Sequence, residues 1–251
     1  MDGKMIFWST SETGLVRKDN QDSVFISGDG TVFCVADGMG GGSGGAIASR
    51  IVCDEIKAVI DSGSADRAAA VERAIVSADV RIRDYAKERG FKQMGSTAVV
   101  LLVDPGRGKR VSICHVGDSR AYRIREGKVK RLTDDHTLGN QLMNVSDVKW
   151  AAKLGNRSHP LSHILTNAVG AGEKAVAEWR DLELQVGDWF LLCSDGVHDV
   201  LDEDRISEIF RSSGTVRQTG ERLREMIVQG GAPDNFSYIV IKTGERDEKR
   251  K

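Results

Sequence analysis

Proline is scarce in this 251-residue chain: only Pro105, Pro160 and Pro233 occur, and no Ser/Pro tract reads as a linker. The length alone allows one or two domains. Without a linker or an internal repeat the simpler reading is one continuous domain over residues 1–244, followed by a charged, anchorless tail at 245–251. Cysteine is also sparse, and Cys34, Cys53, Cys114 and Cys193 form no C-x-x-C pair. Their wide spacing, with three of them inside apolar runs, points to buried, reduced thiols in a cytoplasmic protein. Net charge is missing as well: 36 Lys plus Arg stand against 37 Asp plus Glu, so no global basic field draws in nucleic acid or anionic lipid. The longest apolar run, Ala98–Val103, is far short of the ~20 residues that span a bilayer. At the N-terminus Asp2 and the polar Ser9-Thr10 interrupt any signal-peptide core. The expectation is a soluble, cytoplasmic monomer with no nucleic-acid or membrane partner. A chain this long builds a full core without staples, so a metal site would be functional.

Short β-branched and aromatic runs predict strands at Ser23–Ile26, Thr31–Ala36, Thr97–Val103, Val111–Val116, Ala121–Arg125, Trp189–Ser194 and Phe236–Ile241. Asp29-Gly30 and Glu126-Gly127 read as hairpin tips. Two amphipathic helices lie between strands, the first carrying Ala48, Val52, Ile56 and Val59, the second Val71, Ile75, Ala78, Ile82 and Tyr85. Two more, near the C-terminus, carry Ile206, Ile209 and Phe210, then Leu223, Met226 and Ile227. Hairpin strands with helices arriving in consecutive pairs argue for an α+β fold of antiparallel sheets covered by helices, not a βαβ array. Asp134 to Gly172, rich in Asn, Ser and His, reads as an irregular insertion or flap.

The acids fall in a pattern. Asp37, Asp118 and Asp195 follow apolar strands, and Asp22 and Asp234 immediately precede strands. Each alone is an ordinary turn former. Five carboxylates at strand ends, with no matching set of Lys or Arg, point instead to a shared cation, because a carboxylate there is costly to desolvate uncompensated. All-oxygen ligands suit Mg²⁺ or Mn²⁺ rather than zinc. Two such ions would acidify a water and clamp a phosphoryl oxygen, and Arg17, five residues before Asp22, is placed for a bidentate phosphate contact.

Six segments then stand in order: Thr13-Gly14-Leu15-Val16-Arg17-Lys18-Asp19-Asn20-Gln21-Asp22, Ala36-Asp37-Gly38-Met39-Gly40-Gly41, Gly95-Ser96-Thr97-Ala98, His115-Val116-Gly117-Asp118-Ser119-Arg120, Cys193-Ser194-Asp195-Gly196 and Pro233-Asp234-Asn235-Phe236. Together they resemble the motif series of the metal-dependent serine/threonine protein phosphatases, the PPM or type 2C family, in its bacterial form. The resemblance implies a central antiparallel β-sandwich flanked on both sides by pairs of antiparallel helices. It implies that Asp37 bridges two metals, that the Gly38 carbonyl binds one, that Asp195 and Asp234 complete the pair, and that Asp118 holds a weaker third. Asp22 would bind directly or through metal-bound waters, and Arg17 would take the substrate phosphate. The substrates implied are phosphorylated proteins, with a cognate serine/threonine kinase or its targets as partners. Departures are Gln21 for a frequent Glu, Gly42 and Ala46 for a usual His and Glu, and Asn167 for a common Arg. Met39 replaces a His found in eukaryotic relatives, leaving the general acid to a metal-bound water or to His136, His159 or His163.

Two motifs compete. Gly40 to Gly45 satisfies G-x-G-x-x-G, yet two helices separate it from the next strand, so a dinucleotide's ribose-binding acid has no place. Cys114 to Arg120 has the C-x5-R spacing of cysteine-dependent phosphatases, but the following residues alternate like a strand and offer no helix N-terminus. A non-catalytic phosphoprotein-binding regulator is the reading from another class; it predicts lost metal aspartates, and Gln21 keeps it open.

Overall fold

The structure is a computed structural model that describes residues 5–103, 110–145 and 160–244. His159 and the 245–251 tail lie outside the described residues, as does much of the flap. The described strands, all antiparallel where paired, are β1 (Met5–Glu12), β2 (Asp22–Ile26), β3 (Val32–Gly40), β4 (Met94–Ser96), β5 (Ala98–Val103), β6 (Arg110–Val116), β7 (Arg120–Arg125), β8 (Lys128–Arg131), β9 (Glu178–Glu183), β10 (Trp189–Cys193) and β11 (Phe236–Thr243). They form two sheets, ordered β1-β11-β10-β7-β8 and β2-β3-β5-β6-β9, with β4 pairing β3.

Both faces of the central strands are buried, which is why they read as unbroken apolar runs. Alternation then sorts the side chains. Phe33 and Val35 on β3, Val99 and Leu101 on β5, and Phe190 and Leu192 on β10 meet between the sheets. Cys34, Ala36, Val100 and Cys114 face the other way, against α1 (Gly44–Asp61) and α2 (Arg67–Arg89). On the opposite side Tyr122, Leu191, Cys193 and Val240 pack under α5 (Glu203–Ser212) and α6 (Val216–Gln229). The layers therefore run helix, sheet, sheet, helix, as expected. Asp66, Asp202 and Thr215 cap α2, α5 and α6 through their side chains.

Several elements differ from the sequence reading. β1 was not expected because its apolar half, Met5–Trp8, does not alternate and its other half is polar; it is held by pairing with β11 and by Trp8 packing onto Gly220. β9 is a charged sheet-edge strand, Glu-Trp-Arg-Asp-Leu-Glu, a composition that guards an edge and hides a strand from pattern reading. β4 is three residues long and ends at Ser96, and Thr97 separates it from β5, so the strand expected from Thr97 starts one residue later. Within the flap, α3 (Leu138–Val145) and a 3₁₀ turn at Pro160–His163 replace irregular chain. α3 breaks no rule of sequence; its surroundings were merely poor in periodicity.

Candidate active site

β3 does not stop at Asp37 but runs on to Gly40, so this acid sits within the strand, opposite Asp22 in the β2–β3 ladder. Thr97 fixes it from the other side. Its Oγ1 accepts from the Asp37 N–H at 2.9 Å, and its own N–H donates to the Asp37 carbonyl at 2.8 Å. Thr97 Oγ1 in turn meets Ser119 Oγ at 2.7 Å, tying Asp37 to the turn that carries Asp118. Gly38 must be glycine, because a Cβ there would lie 2.0 Å from the Gly45 carbonyl oxygen. That close approach seats the start of α1 against the end of β3.

The second sheet's neighbours supply the remaining acids. Asp195 opens the one-turn helix α4 (Asp195–His198) directly after β10. Asp234 precedes β11, with Oδ1 accepting from the Asn235 N–H at 2.8 Å. Asn235 holds the loops together: its Nδ2 donates to the carbonyls of Thr13 and Asp19, and its Oδ1 accepts from the Gln21 N–H. Asp22 Oδ2 accepts from Ser194 Oγ at 2.8 Å, whereas its buried Oδ1 has no hydrogen-bond partner among the described residues. Thr97, Ser119, Ser194 and Asn235 were visible in the motifs but not as supports; the signal was the hydroxyl or amide beside each acid.

Electrostatically these acids form one cluster. Burial, then the facing Asp22, Asp195 and Asp118, pushes the Asp37 carboxyl well above the usual carboxylate range. Burial, then Asp195, does the same to Asp118. Burial pushes Asp22 up to about 7 and Asp195 up to about 6, with neighbouring carboxylates adding to both shifts. Arg17 reaches only the rim, where its NH2 donates to Asp234 Oδ2 at 2.7 Å. The other nearby guanidinium, Arg120, is committed to Asp135. Buried and half-buried carboxylates facing one another, one oxygen without a partner, and all-oxygen donors are the surroundings of a hard divalent cation. Asp22, Asp37, Gly38, Asp118, Asp195 and Asp234 are thus brought together, with Arg17 at the edge.

The departures find their places. Gln21 faces away from the cluster: its Nε2 donates to the Gly42 carbonyl at 2.9 Å, clasping the glycine turn in a way a carboxylate could not. Gly42 takes a left-handed φ of 61° in that turn. Asn167 bonds both ways to the Val176 backbone, which fixes its amide orientation and aims Nδ2 at His136 Nδ1, 2.9 Å away. The Gly117 N–H donates to the same nitrogen at 3.1 Å. His136 Nδ1 is therefore an acceptor tucked under the Gly117–Asp118 turn, while its Nε2 faces Glu178 at 3.2 Å and the ring does not line the cleft, which speaks against His136 as general acid. His163 lines the cleft with Asp37 and Asp195, its Nδ1 3.9 Å from Asp199 Oδ2. The cysteine alternative fails: Cys114 lies fully buried in the helix-facing core, where burial pushes its thiol up, and β7 rather than a helix follows its loop.

Comparisons with known proteins show the family to which the chain belongs. Residues 9–228 match the family model described as protein phosphatase 2C. The chain is 30% identical to the serine/threonine protein phosphatase PstP of Mycobacterium tuberculosis over 94% of its own length, and spans 45% of PstP's. It is 29% identical to the serine/threonine phosphatase stp of Listeria monocytogenes, covering 96% of each. Among solved structures, the catalytic domain of PstP in complex with two manganese ions superposes with a TM-score of 0.80 at 29% identity, covering 96% of this chain and 99% of that one. Stp1 from Staphylococcus aureus gives 0.83 at 27% identity over 98% and 96%. On its match over most of its length and on its sandwich fold, the chain belongs to the protein phosphatase 2C family.

Proposed function

We propose that the protein hydrolyses phosphoserine and phosphothreonine in proteins with the help of divalent cations held by Asp37, Asp195 and Asp234. The observation that carries this is the convergence of five carboxylates from both sheets, of which Asp37, Asp118 and Asp195 line one cleft and repel one another, while Arg17 pairs only with Asp234 at the rim. The substrate class is supported by relatives named serine/threonine phosphatases, and the metal by the manganese complex of PstP.

Bound Mn²⁺ or Mg²⁺ would supply an acidified water and positive charge against the phosphoryl oxygens. Asp37 would bridge two ions, the Gly38 carbonyl would bind one, Asp195 and Asp234 would complete the pair, and Asp118 would hold a weaker third. Asp22, half satisfied by Ser194, offers its free oxygen to an ion or its water. Arg17, exposed at the rim and held charged by Asp234, would orient the phosphate. The departing Ser or Thr oxygen needs a proton, for which His163 lines the cleft and a water is the other source. Substrates would come from a cognate kinase. Buried thiols support a reducing, cytoplasmic setting, and exposed large apolar side chains scattered in ones and twos support a monomeric domain over residues 1–244.

Asp37→Asn tests the assignment. It removes a bridging anion without touching core packing, so phosphopeptide turnover in Mn²⁺ should fall by roughly a thousandfold, the several kcal/mol expected of lost metal stabilisation. Its circular dichroism should match wild type. A variant with wild-type turnover would show that the cations sit elsewhere.

A further inference from the structure

The cleft over the acids encloses about 640 Å³, more room than a phosphoryl group needs. Besides Asp37, Asp118 and Asp195 it is lined by the last turn of α2 and the segment that follows, through Lys87, Phe91 and Lys92. The other cations in this region are committed. Arg83 binds Asp79 through Nε and NH2 and reaches the carbonyls of Gly172 and Glu173, which pins the 170–173 wall to α2. Arg89 lies over the Tyr85 ring at 5.6 Å, and Tyr85 stacks on Phe91. Lys87 and Lys92 are exposed and have no carboxylate partner among the described residues.

The helix dipole accounts for a Lys in the last turn of α2, but not for Lys92, which lies beyond the Gly90 cap. Two unpaired ammonium groups thus share a cleft with a cluster that binds a phosphorylated residue. A peptide seated there by its phosphate must extend along walls made apolar by Met39, Phe91 and Leu165 and charged by these lysines. Resting on the phosphatase reading of this cleft, we propose that Lys87 and Lys92 form a specificity subsite for phosphopeptides bearing Asp or Glu close to the phosphorylated residue.

The test compares kcat/KM for two phosphothreonine peptides that differ only in flanking Glu against flanking Gln. Their ratio cancels whatever affects the common chemistry. Wild type should favour the Glu peptide about threefold to tenfold, the range of two exposed ion pairs, and the preference should shrink as salt rises. Lys87→Glu with Lys92→Glu should invert it; if that variant does not fold, Lys87→Gln with Lys92→Gln should abolish it. A wild-type ratio near one, or a ratio the variants leave unchanged, overturns the subsite. Absence of p-nitrophenyl phosphate hydrolysis in Mn²⁺ would instead overturn the phosphatase reading. Fluorescence anisotropy of the same labelled peptides then decides the subsite alone: tighter binding of the Glu peptide by wild type than by the variants upholds it, and equal affinities refute it.

Discussion

Arg120 lies almost wholly inside the protein, where its guanidinium grips Asp135 with two nitrogens and donates to Tyr122 Oη at 3.2 Å. Removing Arg120 leaves the half-buried Asp135 with only Arg131, 3.6 Å away, as a cationic neighbour among the described residues. Arg120→Met should therefore lower unfolding free energy by about 2–3 kcal/mol in urea titration, whereas a surface pair such as Arg217–Glu221 should tolerate the same change. The five cluster acids could be picked out from sequence because each stood at the end of a strand-forming run, three after it and two before it. Arg120 could not be separated from a phosphate-binding Arg of the C-x5-R type by spacing alone; only its partner, 15 residues on in a flap without periodicity, settles its role. Gln21, standing where the family often has Glu, makes its side-chain hydrogen bond to the Gly42 carbonyl, a role that only the folded glycine turn reveals.

At the scale of elements, central strands such as β3, β5 and β10 were legible because burial on both faces favours apolar runs, whereas β9 was hidden by its charges and β1 by its polar Ser9–Glu12 half. The hairpin tips were legible through turn chemistry. Glu126 and Gly127 both take positive φ, at 51° and 70°, between β7 and β8. At the β2–β3 tip, Asp29 accepts from Ser27, Thr31 and Arg67. Partial burial pushes the Asp29 carboxyl up, but these donors outweigh it and hold the group well below its usual range. A depressed folded value means the stabilisation is complete above the unfolded pKa of about 3.9 and fades as pH falls through the folded value. The stability gap between wild type and Asp29→Asn should thus be present at neutral pH, no more than about 1 kcal/mol for so exposed a pair, and should close in strong acid. Thermal melts of both proteins across pH read this; a gap that widens on acidification would contradict it.

At the scale of the molecule, the sandwich explains why the site stands where it does. β2 and β3 in one sheet, and β10 and β11 in the other, bring Asp22, Asp37, Asp195 and Asp234 to one end of the sandwich, and the β6–β7 turn adds Asp118. Packing holds that end together against carboxylate repulsion, and a cation bound there would return stability as well as chemistry. The most direct measurement is hydrolysis of a phosphothreonine peptide in Mn²⁺, in excess EDTA, and after Mn²⁺ is restored. Activity that requires Mn²⁺, vanishes in EDTA and returns with the ion is the predicted result. Turnover that persists in EDTA would contradict the metal cluster as the seat of catalysis.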